Sequence, residues 1–219
     1  EAAKAREQRD SAVAAAKARA DRAERSEKKT AETLDQTEQA LAAGANIVND
    51  VSGLRADEEM LGVCIKSDCG IVVMHMQGQP RTMQTDPSYG DVGVEVREFF
   101  EERYLSLTAS GVEAERLVFD PGIGFGKNLN HNLSLLRRLE KLVVQGRPLL
   151  IGISRKSFLG KVLEDDSPDL REWPTVALTA ASRMQGVLLH RVHSVRENCD
   201  ALRVVEAVLT SDVEAQDFP

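Results

Sequence analysis

After Leu34, short apolar runs alternate with longer amphipathic stretches along the chain. Short runs rich in Val, Ile and Leu are typical of buried parallel strands, whereas apolar residues at helical spacing are typical of helices that cover a sheet. The predicted strands are Asn46–Asn49, Ile71–His75, Leu117–Asp120, Leu149–Ile153 and Leu188–Val192. The predicted helices are Asp57–Ser67, Val92–Ser110, Leu133–Val144, Pro174–Gln185 and Ser194–Leu209. This order indicates five strand-helix units in an α/β fold with a parallel sheet.

Five glycines stand after predicted helical stretches and before the strands that follow them. They are Gly44, Gly70, Gly111, Gly146 and Gly186. Helices commonly end in a left-handed residue, a conformation that glycine adopts without steric cost. We therefore expect each of these glycines to end a helix.

The first 33 residues have a different pattern, mostly Ala, Lys, Arg and Glu, with Val13 as the only large apolar residue. Ala and long charged side chains favour helix formation. Because there is no a/d seam of Leu or Ile, we expect a long solvated helix or a partner-binding arm rather than a stable coiled coil. Residues 1–40 are predicted to form this helical segment, and residues 41–219 the α/β domain.

Charge and cysteine content narrow the classes of function. Residues 1–43 hold equal numbers of basic and acidic side chains, so the net charge of −7 belongs to the remainder. An acidic domain binds nucleic acid poorly, since phosphate contacts need clustered cations. Three cysteines without a CxxC pair favour reduced thiols in a cytoplasmic protein. No apolar run is long enough to span a bilayer, so neither nucleic acid nor a membrane is an expected partner.

Each predicted strand is followed by polar or glycine-rich sequence at its C-terminal end. These segments read NDVSG, HMQGQPRT, DPGIGFGKN, GISRKS and RVHS. In (βα) barrels the loops at this end build the active site, while the opposite end serves stability. The five loops are therefore expected to converge on one site.

The segment DPGIGFGK, residues 120–127, is the most distinctive of these loops. Alternate glycines let the backbone approach a ligand closely, and their spacing matches neither a P-loop nor a dinucleotide fingerprint. Asp120 is a carboxylate that can accept paired hydrogen bonds from an aminopyrimidine-type edge. The alternative is a carboxylate that only caps the following turn.

Other loops carry cations suited to a polar or anionic ligand. SRKS places Lys156 just after a buried strand, and a solvated basic turn is the alternative interpretation. Arg191 and His193 lie on the same side of an extended chain and suit a phosphate or pyrophosphate. A core histidine beside a surface arginine is the alternative there.

Two strands end in side chains that could line a pocket. Asn49 can both donate and accept hydrogen bonds at the end of the first strand, and Met74 is expected in the pocket wall or the core. His75 has no partner at metal-ligand spacing, so no metal ligand is assigned. A serine elbow, a Cys–His pair and HExxH are all absent from the sequence, which argues against nucleophilic and zinc-hydrolase chemistry.

Taken together, NDVSG, VVMHMQGQPRTMQ, VFDPGIGFGKN, LIGISRKSFLG and RVHSVREN resemble the dihydropteroate synthase family in order and spacing. The resemblance covers roughly residues 41–209. It implies a (βα) barrel of the TIM type, here a partial one equivalent to strands 4–8 and preceded by the N-terminal helix. It also implies a transferase of folate biosynthesis, which joins 6-hydroxymethyl-7,8-dihydropterin pyrophosphate to p-aminobenzoate and releases pyrophosphate.

The resemblance implies a role for each matching residue. Asn49 and Asp120 would hydrogen-bond the pterin ring, and Met74 and Gly152 would line its pocket. Lys156 would contact both the pterin and the p-aminobenzoate side. Lys156 and Asp120 are thereby the expected catalytic residues.

The remaining roles concern the second substrate and the leaving group. By resemblance, Ser157 and Phe125 would seat p-aminobenzoate, and Arg191 with His193 would grip the phosphates. Fixed cations and Mg²⁺ would stabilise the charge that develops on the departing pyrophosphate. The aniline nitrogen is already a competent nucleophile, so the protein mainly has to position it.

The resemblance further implies Mg²⁺ as cofactor, sulfonamide-type inhibitors as ligands, and a homodimer or other self-association. The family's first three strand-helix units, including their Mg²⁺-binding asparagine, have no match in this chain. Unpaired edges of an incomplete barrel also favour association. We therefore expect turnover by this chain alone to be absent or very low.

Two alternatives stay open at this point. The first is a catalytically defective or engineered pterin-binding half-barrel that acts as an assembly module through its N-terminal helix. The second is another pterin-binding barrel, such as a methyltransferase domain that passes a methyl group to cobalamin. SRKS followed by a short helix argues against the second, because its Lys and Ser match the synthase pattern.

Overall fold

The computed structural model describes residues 32–79 and 82–211. The predicted N-terminal helix lies almost entirely outside the described residues. Among the described residues, one compact unit comprises residues 32–46 and 55–69, and a second comprises residues 47–54, 70–79 and 82–211. The boundary predicted at residue 40 stays a prediction. No helix in the described part of the chain is long and apolar enough to cross a bilayer.

In the first unit, the described residues form two helices. Residues 32–42 are helical and form α1, and α2 spans Glu58–Ser67. Asp57 begins α2 by accepting a hydrogen bond from the backbone N–H of Glu59 at 2.9 Å, which satisfies an otherwise unpaired donor. Asp68 ends the helix in the left-handed conformation, with φ of 57°.

The second unit is built from parallel strands and the helices between them. Its strands are β1 (Ile47–Asp50), β2 (Gly70–Met74), β3 (Leu117–Asp120), β4 (Leu150–Ile151) and β5 (Leu189–His190). Its helices are α3 (Val92–Ala109), α4 (Leu129–Leu136), α5 (Ser157–Leu163), α6 (Glu172–Met184) and α7 (Val195–Leu209). Short 3-10 helices span Ala114–Arg116, Leu139–Leu142 and Pro168–Arg171. The predicted parallel α/β architecture is confirmed.

The strands pair in the order in which they occur along the chain. β1, β2 and β3 form one parallel sheet, and β4 pairs in parallel with β5. A single parallel bridge between Phe119 and Leu149 links β3 to the residue before β4. Ile71 and Val73 are fully buried on one face of β2, and Val72 and Met74 are 1% exposed on the other, so β2 carries the core on both of its faces.

The register of the first sheet places three predicted site residues on one face. Asn49 pairs with Val72, and Met74, two residues further along β2, pairs with Asp120. Because side chains alternate along a strand, paired residues and those two positions apart share a face. Asn49, Met74 and Asp120 therefore lie on the same side of the sheet.

The same face continues into the last two strands. The bridge puts Leu149 in phase with Phe119, so Gly152, three residues after Leu149, is in phase with Asp120. Continuing the register of β4 and β5 sets Arg191 opposite Gly152. The C-terminal ends of the five described strands thus lie at one edge of the two linked sheets. Their candidate residues lie on one face.

β4 and β5 are shorter than predicted, and two further predictions of local structure were wrong. The helix predicted over Leu133–Val144 begins at Leu129 and ends at Leu136, because Asn128 caps it four residues earlier than expected. Gly70 belongs to β2 rather than to a helix end. Asp68 takes the left-handed position instead, since Asp is one of the few non-glycine residues that tolerate it. The other four glycines have positive φ, as predicted.

Candidate active site

Asp120 lies at the end of β3, buried among backbone groups. The residue is only 3% exposed. Its Oδ1 accepts a hydrogen bond from the N–H of Gly122 at 2.7 Å, and its carbonyl accepts one from the N–H of His75 at 2.9 Å. The alternative of a turn-capping carboxylate is thus partly realised. Oδ1 caps the turn, and Oδ2 is the oxygen that this cap does not use.

The glycine loop, residues 122–126, runs against the backbone that follows β2. Gly122 and Gly126 both have positive φ. A Cβ on Gly122 would overlap the carbonyl oxygen of His75, and one on Gly126 would overlap that of Gln77. The sequence predicted close approach to a ligand, but the structure shows that these two glycines permit close approach between neighbouring loops.

Side chains from both flanks hold the glycine loop in place. The hydroxyl of Tyr89 donates to the carbonyl of Gly126 at 2.8 Å, and the amide of Gln84 donates to that of Gly124. On the other side, Oδ1 of Asn132 in α4 accepts from the N–H of Gly124 at 2.7 Å. These hydrogen bonds from the protein itself fix the shape of the loop.

Lys156 reaches from the SRKS loop to the glycine loop. Its Nζ donates to the carbonyl of Ile123 and lies 4.6 Å from the ring centroid of Phe125, a cation–π distance. Burial lowers the pKa of Lys156 to about 8, although the nearby Asp120 carboxylate acts to raise it. The solvated basic turn considered from the sequence is therefore excluded for this side chain.

The SRKS loop is itself fixed by contacts beneath it. Arg155 has φ of 57°, and its backbone N–H donates to the hydroxyl of Thr175 at 3.1 Å. Its guanidinium donates to Glu172 at 2.7 Å and to the hydroxyl of Ser194 at 3.2 Å. With Arg155 turned away in this manner, the next side chain, Lys156, is directed toward the glycine loop.

Three basic side chains affect the pKa of the Asp120 carboxyl group. Burial raises the pKa of its carboxyl group, while the cations of Lys156, Arg191 and Lys127 lower it. Lys127 is 2% exposed, and burial lowers its pKa to about 7. Desolvation is the largest of these effects, so the pKa of the buried Asp120 carboxyl group is raised overall despite three nearby basic side chains.

Arg191 and His193 follow β5 on the same side of the chain. The Arg191 guanidinium lies 3.2 Å from the position that a Cβ on Gly152 would occupy, so a side chain there would displace it. Nδ1 of His193 lies 2.8 Å from Oγ of Ser154, and its backbone N–H donates to the same hydroxyl at 3.2 Å. Both side chains belong to exposed residues, where an anion can reach them.

The remaining predicted residues occupy more separate positions. Met74 is buried in β2 opposite Asp120, and Asn49 is exposed on β1. Ser157 is the first residue of α5 and is exposed. Direct contacts tie Lys156 to Phe125, whereas Asn49 and Met74 share the site only through strand register.

Sequence reasoning assigned no role to three residues that shape this site. Lys127 and Tyr89 contact the glycine loop, and Ser154 contacts His193. Lys127 and Ser154 stand inside the two most distinctive motifs, which was a usable signal. No signal in the sequence pointed to Tyr89, because it lies 37 residues from the carbonyl to which it donates.

The pterin-binding enzyme family model matches residues 32–193. That span covers most of the chain and includes every site residue that was predicted from the sequence. This chain belongs to the pterin-binding enzyme family.

Within the pterin-binding family, the chain is similar to several dihydropteroate synthases. The Escherichia coli K12 enzyme is 41% identical over 173 residues, covering 79% of this chain and 61% of that protein. The Thermus thermophilus structure is 42% identical with a TM-score of 0.75, covering 80% of this chain and 70% of the other.

A third relative was solved with a bound ligand. The dihydropteroate synthase of Xanthomonas albilineans, solved in complex with 7,8-dihydropteroate, is 37% identical with a TM-score of 0.72 and covers 78% of this chain and 62% of its own. The chain thus spans about three fifths of the length of the curated relatives it matches.

Proposed function

We propose that this chain forms the pterin site of a dihydropteroate synthase, a transferase of folate biosynthesis. The reaction condenses 6-hydroxymethyl-7,8-dihydropterin pyrophosphate with p-aminobenzoate. The observation that carries the proposal is the buried Asp120 carboxylate, set beside Lys156 and Arg191 on one face of the sheet. Relatives that hold 4-aminobenzoic acid or 7,8-dihydropteroate support the choice of substrates.

The pterin ring is held at the end of β3 in this proposal. The free oxygen of Asp120 accepts from the ring N–H groups, and such charge-assisted bonds are about twice as strong as neutral ones. Met74 forms an apolar wall beside it, and Asn49 supplies a further donor and acceptor on the same face. The absence of a side chain at Gly152 leaves room for the Arg191 guanidinium.

The chemistry takes place between Lys156 and the phosphate side. The amine nitrogen of p-aminobenzoate forms a bond to the pterin CH2 carbon as the C–O bond to pyrophosphate breaks, and the nitrogen then loses a proton. Lys156, Arg191 and His193 stabilise the negative charge on the leaving pyrophosphate. Phe125, held under Lys156, and Ser157 seat the ring and carboxylate of p-aminobenzoate.

Mg²⁺, which the resemblance implies, has no ligand cluster in the described residues. Among them, no group of three or more His, Cys, Asp or Glu side chains is arranged to hold a metal ion. One carboxylate oxygen of Asp120 already accepts a hydrogen bond from the N–H of Gly122. We therefore derive no step through Mg²⁺ from these residues.

Substitution of Asp120 tests the proposal. We expect calorimetry to show binding of 6-hydroxymethylpterin pyrophosphate to the wild-type chain. Asp120→Asn keeps an oxygen for Gly122 but loses the charge, so affinity should fall by about 10- to 100-fold, the effect of charge-assisted hydrogen bonds. Asp200→Asn, an exposed change on α7, is the matched control and should bind as wild type does.

Equal heats from wild type and Asp120→Asn, or none from wild type, would contradict the pterin site. A turnover assay with p-aminobenzoate on the same preparations separates binding from catalysis. The low turnover expected from the sequence is tested in that assay.

We also infer the wider setting of the proposed enzyme. Its strands would form part of a TIM-type barrel, and it would bind sulfonamide-type inhibitors, as a relative solved with a sulfonamide drug does. The lack of a CxxC pair among Cys64, Cys69 and Cys199 supports the proposed cytoplasmic location. Exposed apolar residues on α7, Val204 and Val208, support a homodimer.

A further inference from the structure

Lys127 is a buried cation for which the proposed chemistry has no use. The residue is 2% exposed. Its Nζ donates to the carbonyls of Gly122 and Phe125, each at 3.1 Å, and lies 3.0 Å from Nδ1 of His75. A buried amine with three partners is fully satisfied, so its desolvation is offset only while these groups keep their positions.

Lys127 donates to the carbonyls of the residues on either side of Ile123 and Gly124, which form the crest of the glycine loop. The carbonyl of Ile123 accepts from Nζ of Lys156. The second carbonyl belongs to Phe125, whose ring lies under that same ammonium group. Any shift of the crest therefore moves both partners of Lys156, although Lys127 does not itself touch Lys156.

Lys127 also acts on Asp120 electrostatically. It is one of three cations that lower the pKa of this buried carboxyl group. The other titratable and charged groups around the two residues are His75, Tyr89, His131, Lys156 and Arg191. Tyr89 is the useful comparison, since its hydroxyl ties the same loop at Gly126 without contributing a positive charge.

We propose that Lys127 is a positioning residue for the pterin site: it ties the glycine loop to His75, just after β2, and so holds Ile123 and Phe125 against Lys156. Its positive charge also favours the ionised form of Asp120. The link to pterin rests on the proposed function, whereas the loop tie and the effect of the charge can both be measured without any ligand.

The test compares three variants of the full chain, with Lys127→Gln as a fourth. Lys127→Met keeps the length of the side chain but removes both the hydrogen bonds and the charge. Tyr89→Phe removes one loop tie and no charge. Lys161→Met, an exposed change in α5, is the matched control. The readouts are amide hydrogen exchange at Gly124 and Phe125, and the carbon-13 NMR titration of the Asp120 carboxyl group.

In Lys127→Met, we expect protection of both amides to fall by about tenfold or more, as a tied loop becomes free to open. The titration of Asp120 should move to higher pH, because one compensating cation is lost. Tyr89→Phe should lower protection and leave the titration in place, and Lys161→Met should change neither. Lys127→Gln, which can still donate to two carbonyls, should recover protection while the titration stays displaced.

Two results would overturn the proposal. One is amide protection in Lys127→Met equal to that of Lys161→Met. The other is an Asp120 titration that does not move in Lys127→Met or, should that variant fail to fold, in Lys127→Gln. Calorimetry with 6-hydroxymethylpterin pyrophosphate is a separate arm. No binding by wild type would refute the proposed function, and the two ligand-free readouts would still decide the role of Lys127.

Discussion

Burial sets the chemistry of the two lysines beside Asp120. In water a lysine is protonated up to a pH of about 10.4. Here desolvation lowers the pKa of Lys127 to about 7 and that of Lys156 to about 8. The same cause, desolvation, raises the pKa of the Asp120 carboxyl group. All three groups thus change charge closer to neutrality than they would on a surface.

The lowered pKa of Lys156 predicts a pH dependence for binding of a pyrophosphate-bearing ligand. Its ammonium form, which attracts the anion, is present below about pH 8 and is lost as the pH rises through that value. We expect the affinity for 6-hydroxymethylpterin pyrophosphate to fall between about pH 7.5 and 9, since the phosphates titrate near pH 6 and are constant there. Calorimetry across this range measures the effect.

Lys156→Met should bind more weakly at pH 7 and should lack the decline near pH 8. Lys161→Met is the matched control, because that residue is exposed in the helix that Lys156 precedes. A decline of the same size in Lys156→Met would assign the titration to another group.

At the scale of elements, helix α4 and the glycine loop depend on each other. Asn128 begins α4 with a capping box, in which its side chain accepts from the N–H of His131 at 2.9 Å and its own N–H donates to Nδ1 of that residue. One turn further on, Asn132 accepts from Gly124. The helix start therefore fixes the residue that holds the loop.

Removal of this cap should destabilise the protein. We expect Asn128→Ala to lower the free energy of unfolding by about 1 kcal/mol, the usual cost of losing an N-cap side chain. Urea denaturation measures the change. Asn130→Ala, an exposed substitution in the same helix, is the matched control and should change stability much less. Equal effects from both substitutions would show that the capping box contributes little.

The lengths of the elements were predicted unevenly from the sequence. Leu117–Asp120 was predicted as observed, because an apolar run ended at a charged residue marks a strand end clearly. β5 is shorter than the predicted Leu188–Val192. Apolar character does not reveal where neighbouring strands stop pairing, since that depends on partners distant in sequence.

At the scale of the whole molecule, exposed apolar surface favours self-association. Val204 and Val208, one helical turn apart on α7, are 65% and 60% exposed. We expect light scattering to give a mass near twice the 24.0 kDa of one chain. Val204→Lys should shift the population toward the single chain, because a charge is costly to bury in an apolar interface. A sharp 24.0 kDa species for the unsubstituted protein would contradict the proposed homodimer.

The sequence by itself determined the parallel α/β class, the order of the units and the family. These follow from local signals: apolar periodicity, glycines at helix ends, and the motifs DPGIGFGK and SRKS at strand ends. Placing Asn49, Asp120 and Arg191 at strand ends was enough to predict that they share one edge of the sheet.

Only the tertiary structure decided what the residues at that edge do to one another. Lys127 and Lys156 look alike in sequence, yet one ties a loop from within and the other faces the site. Their pKa values, the overlap that keeps Gly122 a glycine, and the tie from Tyr89 all depend on burial and on contacts across many residues. Desolvation and close packing arise from the folded chain as a whole, so a linear motif does not reveal them.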